Sequence, residues 1–174
     1  QNTIINLSNI KELKNIEVQN NKLLLGSAVT IENFLVTIKD RIPELIELLQ
    51  RFGSPQIRNQ GTIGGNLCTS SPIGDIAPVF LALNAKLNIF GSNGRKKVNL
   101  NEFYTGYRKN ILTKDEIVSS IEVPFPKKDY NLFCWKLSKR YDQDISTISL
   151  TVYIKIRDQI IDDIHLAAGG IAET

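Results

Sequence analysis

Gly53-Ser54-Pro55-Gln56-Ile57-Arg58-Asn59-Gln60-Gly61-Thr62-Ile63-Gly64-Gly65-Asn66, followed closely by Ser71-Pro72-Ile73-Gly74-Asp75, is the most informative stretch of this chain. The Gly64-Gly65 pair lets backbone approach a ligand closely and leaves N–H groups to point at it, while Thr62 and Asn66 add a hydroxyl and an amide to the donor set. Such a loop suits a phosphate or the polar edge of a heteroaromatic ring. An ordinary turn that uses glycine for its backbone freedom is the competing reading of the dipeptide. Neither familiar phosphate loop fits: there is no G-x-G-x-x-G, and no Lys-Ser or Lys-Thr follows the glycines.

Upstream, Ile4-Ile5-Asn6-Leu7, Ile16-Glu17-Val18 and Leu23-Leu24-Leu25 are short β-type runs that predict an N-terminal meander, with Asn20-Asn21 suited to a tight hairpin because Asn tolerates positive φ. Thr30 is placed to cap a helix through Phe34, Leu35 and Ile38. Pro43 opens a second helix carrying Leu45, Ile46, Leu48 and Leu49, which Gly53 ends. Downstream, Asp75 precedes an apolar helix from Ile76 to Ala85, and a hairpin of Leu87 to Phe90 with Lys97 to Leu100 turns at Ser92-Asn93-Gly94. Glu116 to Val123 is a further strand. Pro124-Phe125-Pro126-Lys127-Lys128-Asp129 then interrupts all periodicity, which places a boundary near residue 128. Beyond it Phe133 to Leu137, Ser149 to Arg157 and Ile160 to Leu166 predict three antiparallel strands, so the fold class is α+β.

The net charge of +3 is scattered, without the basic run of a nucleic-acid footprint. No stretch reaches the roughly 18 apolar residues of a membrane helix, and no signal peptide precedes the first strand, so a soluble, cytoplasmic protein is expected. Cys68 and Cys134 lack C-x-x-C spacing; neither an iron–sulfur cluster nor a zinc site is built from this chain alone. The absence of Met, the start at Gln1 and the halt just after Gly169-Gly170 give the expectation of a piece of a longer product, with some apolar surface lacking its partner.

Taken in order, Gln56-Ile57-Arg58-Asn59, Gly64-Gly65-Asn66, Ser71-Pro72-Ile73-Gly74-Asp75, and Pro78 with Leu81-Ala82-Leu83 resemble the flavoprotein domain of molybdenum hydroxylases, nearest the xanthine dehydrogenase group. The resemblance continues through Asn101 to Lys109, Asp115-Glu116-Ile117, Ser138 to Ile145 and Gly169-Gly170-Ile171-Ala172, and so spans nearly the whole chain. It implies FAD held between two lobes. Residues 1–128 correspond to the second lobe, and residues 129–174 to the start of an α+β C-terminal domain like that of carbon monoxide dehydrogenase flavoproteins. The Ala-Gly-Gly-Thr-Asp type loop of the family's first lobe has no match here.

By position, the resemblance puts Thr62, Ile63, Gly64, Gly65 and Asn66 against the cofactor and makes Asp75 an acceptor of a hydrogen bond from it. Phe52 and Val118 supply apolar contact, Lys136 reaches the flavin edge, and Tyr107 and Asp142, with Asp144, lie on the acceptor side. It assigns no catalytic residue and no metal ligand. Each role has a plainer rival: a helix cap for Asp75, core packing for Phe52 and Val118, a solvated lysine for Lys136, a packed loop tyrosine for Tyr107, a solvated acid for Asp142. His165 has no partner in view and reads as structural.

The implied function is electron transfer. FAD takes electrons from a 2Fe-2S centre and passes them to NAD, while the molybdenum cofactor and the iron–sulfur centre reside on partner domains or subunits. The alternatives are the flavin subunit of a carbon monoxide, aldehyde or other heterocycle dehydrogenase, and an interaction module that has lost the cofactor. Retention of Thr62, Gly64, Gly65, Asn66 and Asp75 speaks against such loss.

Overall fold

The computed structural model describes residues 5–172. Strands β1 (Ile16–Gln19) and β2 (Lys22–Gly26) form a hairpin whose two loop residues, Asn20 and Asn21, have φ of 51° and 57°. That left-handed pair gives the turn the same twist as its strands. β2 pairs with β7 (Ile117–Pro124), β7 with β3 (Lys86–Gly91), and β3 with β4 (Gly94–Asn99), giving an antiparallel sheet of order β1-β2-β7-β3-β4. The β3–β4 turn at Ser92-Asn93 lies where the sequence predicts it, and a small hairpin of β5 (Tyr104–Gly106) and β6 (Lys109–Asn110) stands apart from this sheet. Residues 5–7 of the expected first strand are not extended into any sheet, and Ile4 lies outside the described residues.

One face of this sheet is apolar and carries the helices. Leu23, Leu25, Leu87, Ile89, Ile121 and Val123 point into a core shared with α1 (Ile31–Ile38), α2 (Ile46–Gln50) and α5 (Ile76–Ala82), where Phe34 meets Phe80 edge-on at 5.8 Å. Thr30 caps α1, its hydroxyl accepting from the Asn33 N–H at 3.1 Å. The single helix expected from Pro43 is instead a 3-10 turn, Pro43–Leu45, running into the short α2. The helix expected from Ile76 to Ala85 stops at Ala82, where Asn84 takes φ of 54°.

The decisive stretch corrects the sequence reading most. It is not a loop but two short capped helices, α3 (Pro55–Gln60) and α4 (Ile63–Cys68), the first begun by Ser54 with Pro55 at its first position and the second by Thr62. Both starts follow the ordinary N-cap grammar, which the two glycines obscured.

After Pro124 the chain turns through residues 127–130, and β8 (Asn131–Leu137), β9 (Ile148–Arg157) and β10 (Ile160–Gly169) form a second antiparallel sheet. Asp158 and Gln159, at φ of 51° and 63°, turn β9 into β10 as the two asparagines turn the first hairpin. Leu132, Lys136, Ser149, Thr151 and Tyr153 face inward, toward α2 and α5. The opposite face is apolar and open: Phe133, Trp135 and Leu137 alternate outward along β8, and Leu166 on β10 is 64% exposed.

Candidate functional site

The entries of α1 and α4 are laced together by backbone. Ile31 N–H donates to Gly61 O, Ile63 N–H to Val29 O and Gly64 N–H to Ser27 O, each at 2.9 Å. Thr62 caps α4, accepting from the Gly65 N–H at 3.0 Å, and Asn66 N–H donates to Thr62 O. The four N–H groups of this turn are therefore already satisfied. That corrects the expectation that the glycine pair leaves amides free for a ligand; what it offers instead is bare surface.

The two glycines differ. Gly64 is buried, and a Cβ there would stand 2.5 Å from Ser27 Cβ and 2.7 Å from Ser27 O, so its role is close packing. Gly65 is exposed, and a Cβ there would meet only Thr62 Oγ1 at 2.8 Å. It opens on a cleft of about 670 Å³ with apolar walls from Leu13, Leu112, Ile117 and Val118 and a polar rim from Ser27, Thr30, Thr62 and Lys14. Cys68 lines the same cleft, its thiol pushed up to about 11 by burial. Glu116 does too, its carboxyl held below the usual range by Lys96 at 2.7 Å.

A larger cleft, about 750 Å³, lies on the uncovered face of the five-stranded sheet. Among its charges, Glu122 takes Lys97 at 2.5 Å and Lys22 at 3.6 Å. It presents no bare capped turn, so the smaller cleft is the candidate site.

Of the residues singled out in the sequence, Thr62, Gly64, Gly65 and Val118 come together on this wall. Ile63 is fully buried in the core beneath it, and Phe52 is half-buried at the end of α2. Asn66 lies one step away, its Oδ1 buried without a hydrogen-bond partner beside Gly74. Tyr107 is exposed at a hairpin tip beneath the Arg108 guanidinium, and Asp142 is exposed in the 138–147 loop. Lys14, Ser27, Thr30, Cys68 and Glu116 also line it and were not singled out as site residues. Thr30 carries a helix-cap signal; the others have no signal of their own in the sequence.

Asp75 and Lys136 form a separate centre. The Lys136 ammonium, with its side chain 3% exposed, donates to Asp75 Oδ2 at 2.8 Å. The Ser146 hydroxyl donates to Oδ1, and Ser149 Oγ donates to Asp75 O at 3.4 Å. Two plainer readings fall here. Asp75 makes no side-chain cap on α5, and Lys136 is not solvated, because the alternation of β8 turns its aromatic residues outward and its lysine inward.

Arg51 ties the same region to α2. Its guanidinium donates to Lys136 O at 2.7 Å, Ser138 Oγ at 3.0 Å and Tyr141 O at 3.2 Å, and lies 4.7 Å from the Tyr141 ring centroid. Hydrogen bonds from a charged donor contribute about 1.5–3 kcal/mol, so Arg51→Met is expected to free the 138–147 loop. Trypsin cleavage after Lys139 or Arg140 should then rise about tenfold; an unchanged rate would show the loop held by other contacts. His165, expected to stand alone, meets Asn84 at 3.0 Å and Asp163 at 3.3 Å.

The chain resembles known proteins in both sequence and fold. The chain is 30% identical to the xanthine dehydrogenase/oxidase of Gallus gallus over 179 residues, covering 95% of this chain and 13% of that protein. It is likewise 30% identical to xanthine dehydrogenase 1 of Arabidopsis thaliana, covering 97% of this chain and 14% of that one. The chain thus spans about a seventh of these relatives. Among solved structures, the carbon monoxide dehydrogenase of Hydrogenophaga pseudoflava, in a form lacking the Mo-pyranopterin moiety of its molybdenum cofactor, superposes with a TM-score of 0.88. It is 26% identical, with 95% of this chain and 58% of that chain covered. Quinoline 2-oxidoreductase of Pseudomonas putida 86, 22% identical with 95% of this chain and 58% of that chain covered, shares the fold at a TM-score of 0.85. Residues 1–126 match the family described as the FAD binding domain in molybdopterin dehydrogenase, and the chain belongs to that family.

Proposed function

We propose that this chain is the second FAD-binding lobe of the electron-transfer component of a xanthine dehydrogenase-like molybdenum hydroxylase. In this reading residues 1–128 form the lobe and residues 129–174 begin the C-terminal domain. A 2Fe-2S centre and the molybdenum cofactor sit on partner domains or subunits, and NAD is the final acceptor. The observation that carries the reading is the exposed Gly65 at the mouth of an apolar cleft, rimmed by hydroxyls and one cation, in a chain of an FAD-binding family. Two free cysteines fit a reducing, cytoplasmic setting.

Bound FAD supplies the capacity to accept and release electrons singly or in pairs. The residues of the chain bind and orient it. The Leu13, Ile117 and Val118 walls would keep water from the cofactor, Gly65 would admit it to backbone distance, and Thr62 and Thr30 would offer it hydroxyls at the rim. Asn66 Oδ1, a buried acceptor without a donor, fits a hydrogen-bonding ligand nearby. In this reading Lys136 and Asp75 act on the cofactor from their separate buried ion pair, and Tyr107 and Asp142 are exposed for an acceptor.

A second reading, the flavin subunit of a carbon monoxide or heterocycle dehydrogenase, draws support from the carbon monoxide dehydrogenase superposition. Both share one test: the complete protein should purify yellow, with absorbance near 450 nm from the oxidised flavin chromophore, at about 450 nm by its own chemistry. A folded, colourless protein that takes up no added FAD would overturn both.

A further inference from the structure

We propose that Lys14 is the side chain of this lobe that meets the diphosphate of FAD, an assignment that rests on the FAD site proposed above. A diphosphate at a helix start is ordinarily held by free backbone N–H groups. Here those groups are spent: the N–H groups of Ile63, Gly64, Gly65 and Asn66 all bond within the protein. The rim hydroxyls and amides can donate hydrogen bonds but carry no charge. An anion on this wall therefore needs a side-chain cation, and Lys14 is the only basic residue lining the cleft among the described residues.

Lys14 is also uncommitted. It is exposed, and none of the ion pairs among the described residues involves it. Glu116, the one acid on the lining, is occupied by Lys96. The unbalanced charge at the cleft is thus positive.

Its backbone is fixed against the glycine turn. Lys14 ends the 3-10 turn Lys11–Lys14, whose Leu13 is 6% exposed and accepts from the Ala28 N–H at 2.8 Å. Asn15 O accepts from the Gly26 N–H at 2.8 Å, and a Cβ on Gly26 would collide with Leu13 O. The next residue, Ser27, is the one pressed against Gly64. Two glycines that allow close approach, Gly26 and Gly64, therefore stack three segments in a row: the turn that ends in Lys14, residues 26–28, and the start of α4. The lysine stem begins from a close-packed layer on the cleft that Gly65 also lines, and its exposed end is what an arriving anion would order.

The test uses the complete flavoprotein with Lys14→Gln and Lys14→Arg, and three probes: FAD, ADP as a diphosphate without flavin, and riboflavin as a flavin without phosphate. Lys14→Gln should weaken FAD and ADP about tenfold and flatten the salt dependence of both, a loss typical of one charge-assisted hydrogen bond. Riboflavin binding should not change, and Lys14→Arg should retain most of the affinity. Unchanged FAD and ADP binding in Lys14→Gln would overturn the assignment while leaving the FAD site intact, and so would an equal loss for all three probes. A parent protein that binds neither FAD nor ADP would instead bring down the site itself.

Discussion

Replacing Asp75 with alanine is expected to destabilise the complete protein by about 3–5 kcal/mol, the cost of leaving a buried charge without its partner. The Lys136 ammonium has a nearly sealed environment, with Asp75 Oδ2 at 2.8 Å as its carboxylate, and Ser146 would lose its acceptor at the same stroke. Lys136→Ala should cost a comparable amount for the mirror reason. The double replacement Asp75→Leu with Lys136→Met removes both charges while keeping volume, and should recover most of the loss, since buried ion pairs commonly contribute little net stability over a well-packed apolar pair. Urea denaturation of the parent, the two single variants and the double variant measures this directly. Additive losses would mean that the pair is not energetically coupled, and a loss below about 1 kcal/mol for Asp75→Ala would mean that water reaches Lys136.

The second large effect separates two neighbours that look interchangeable. Gly64→Val should cost on the order of 3 kcal/mol in folding, because the new side chain would have to displace the Ser27 backbone that laces α4 to the preceding turn. Gly65→Val should leave a folded protein at the smaller cost of shifting the Thr62 hydroxyl that caps α4, the one atom in its way. Its side chain would occupy the cleft wall. If that removes about 1.4 kcal/mol or more of cofactor contact, bound FAD at limiting concentration falls about tenfold. Thermal melts and flavin content of the two variants give the comparison. A Gly65→Val protein with full FAD, or a Gly64→Val protein as stable as the parent, would contradict the roles assigned to them.

Most strands and the first two hairpins were legible because their signals are local, while residues 5–7 form no strand and the hairpin at residues 104–110 was not foreseen. Asn20-Asn21 and Ser92-Asn93-Gly94 favour tight turns by backbone preference, which sets the register of their hairpins, and β9 alternates along its inward-facing half. The site was legible only in part. Thr62 and Gly65 announce themselves by residue type, but nothing in Lys14 or Ser27 marks them until the backbone folds residues 13–28 against α4. Lys136 was placed on the correct strand beside Cys134, yet its environment depends on an aspartate 61 positions earlier. An alternating strand declares two faces without declaring which one is buried. In β8 the usual rule is inverted, with Phe133, Trp135 and Leu137 outside and the lysine inside.

That inversion decides what the chain's intrinsic fluorescence can report. Trp135 is the single tryptophan of the sequence, 46% exposed on the open sheet face and stacked on Phe133 at 5.5 Å. Its indole is already nearly half exposed while the protein is folded, so melting the core around Phe34 and Phe80 changes its surroundings less than it would those of a buried indole. Emission from this residue is a poor thermometer of the core and a sensitive gauge of contact on the β8–β10 face, where any surface that settles on the sheet would dehydrate the ring and shift its light to the blue.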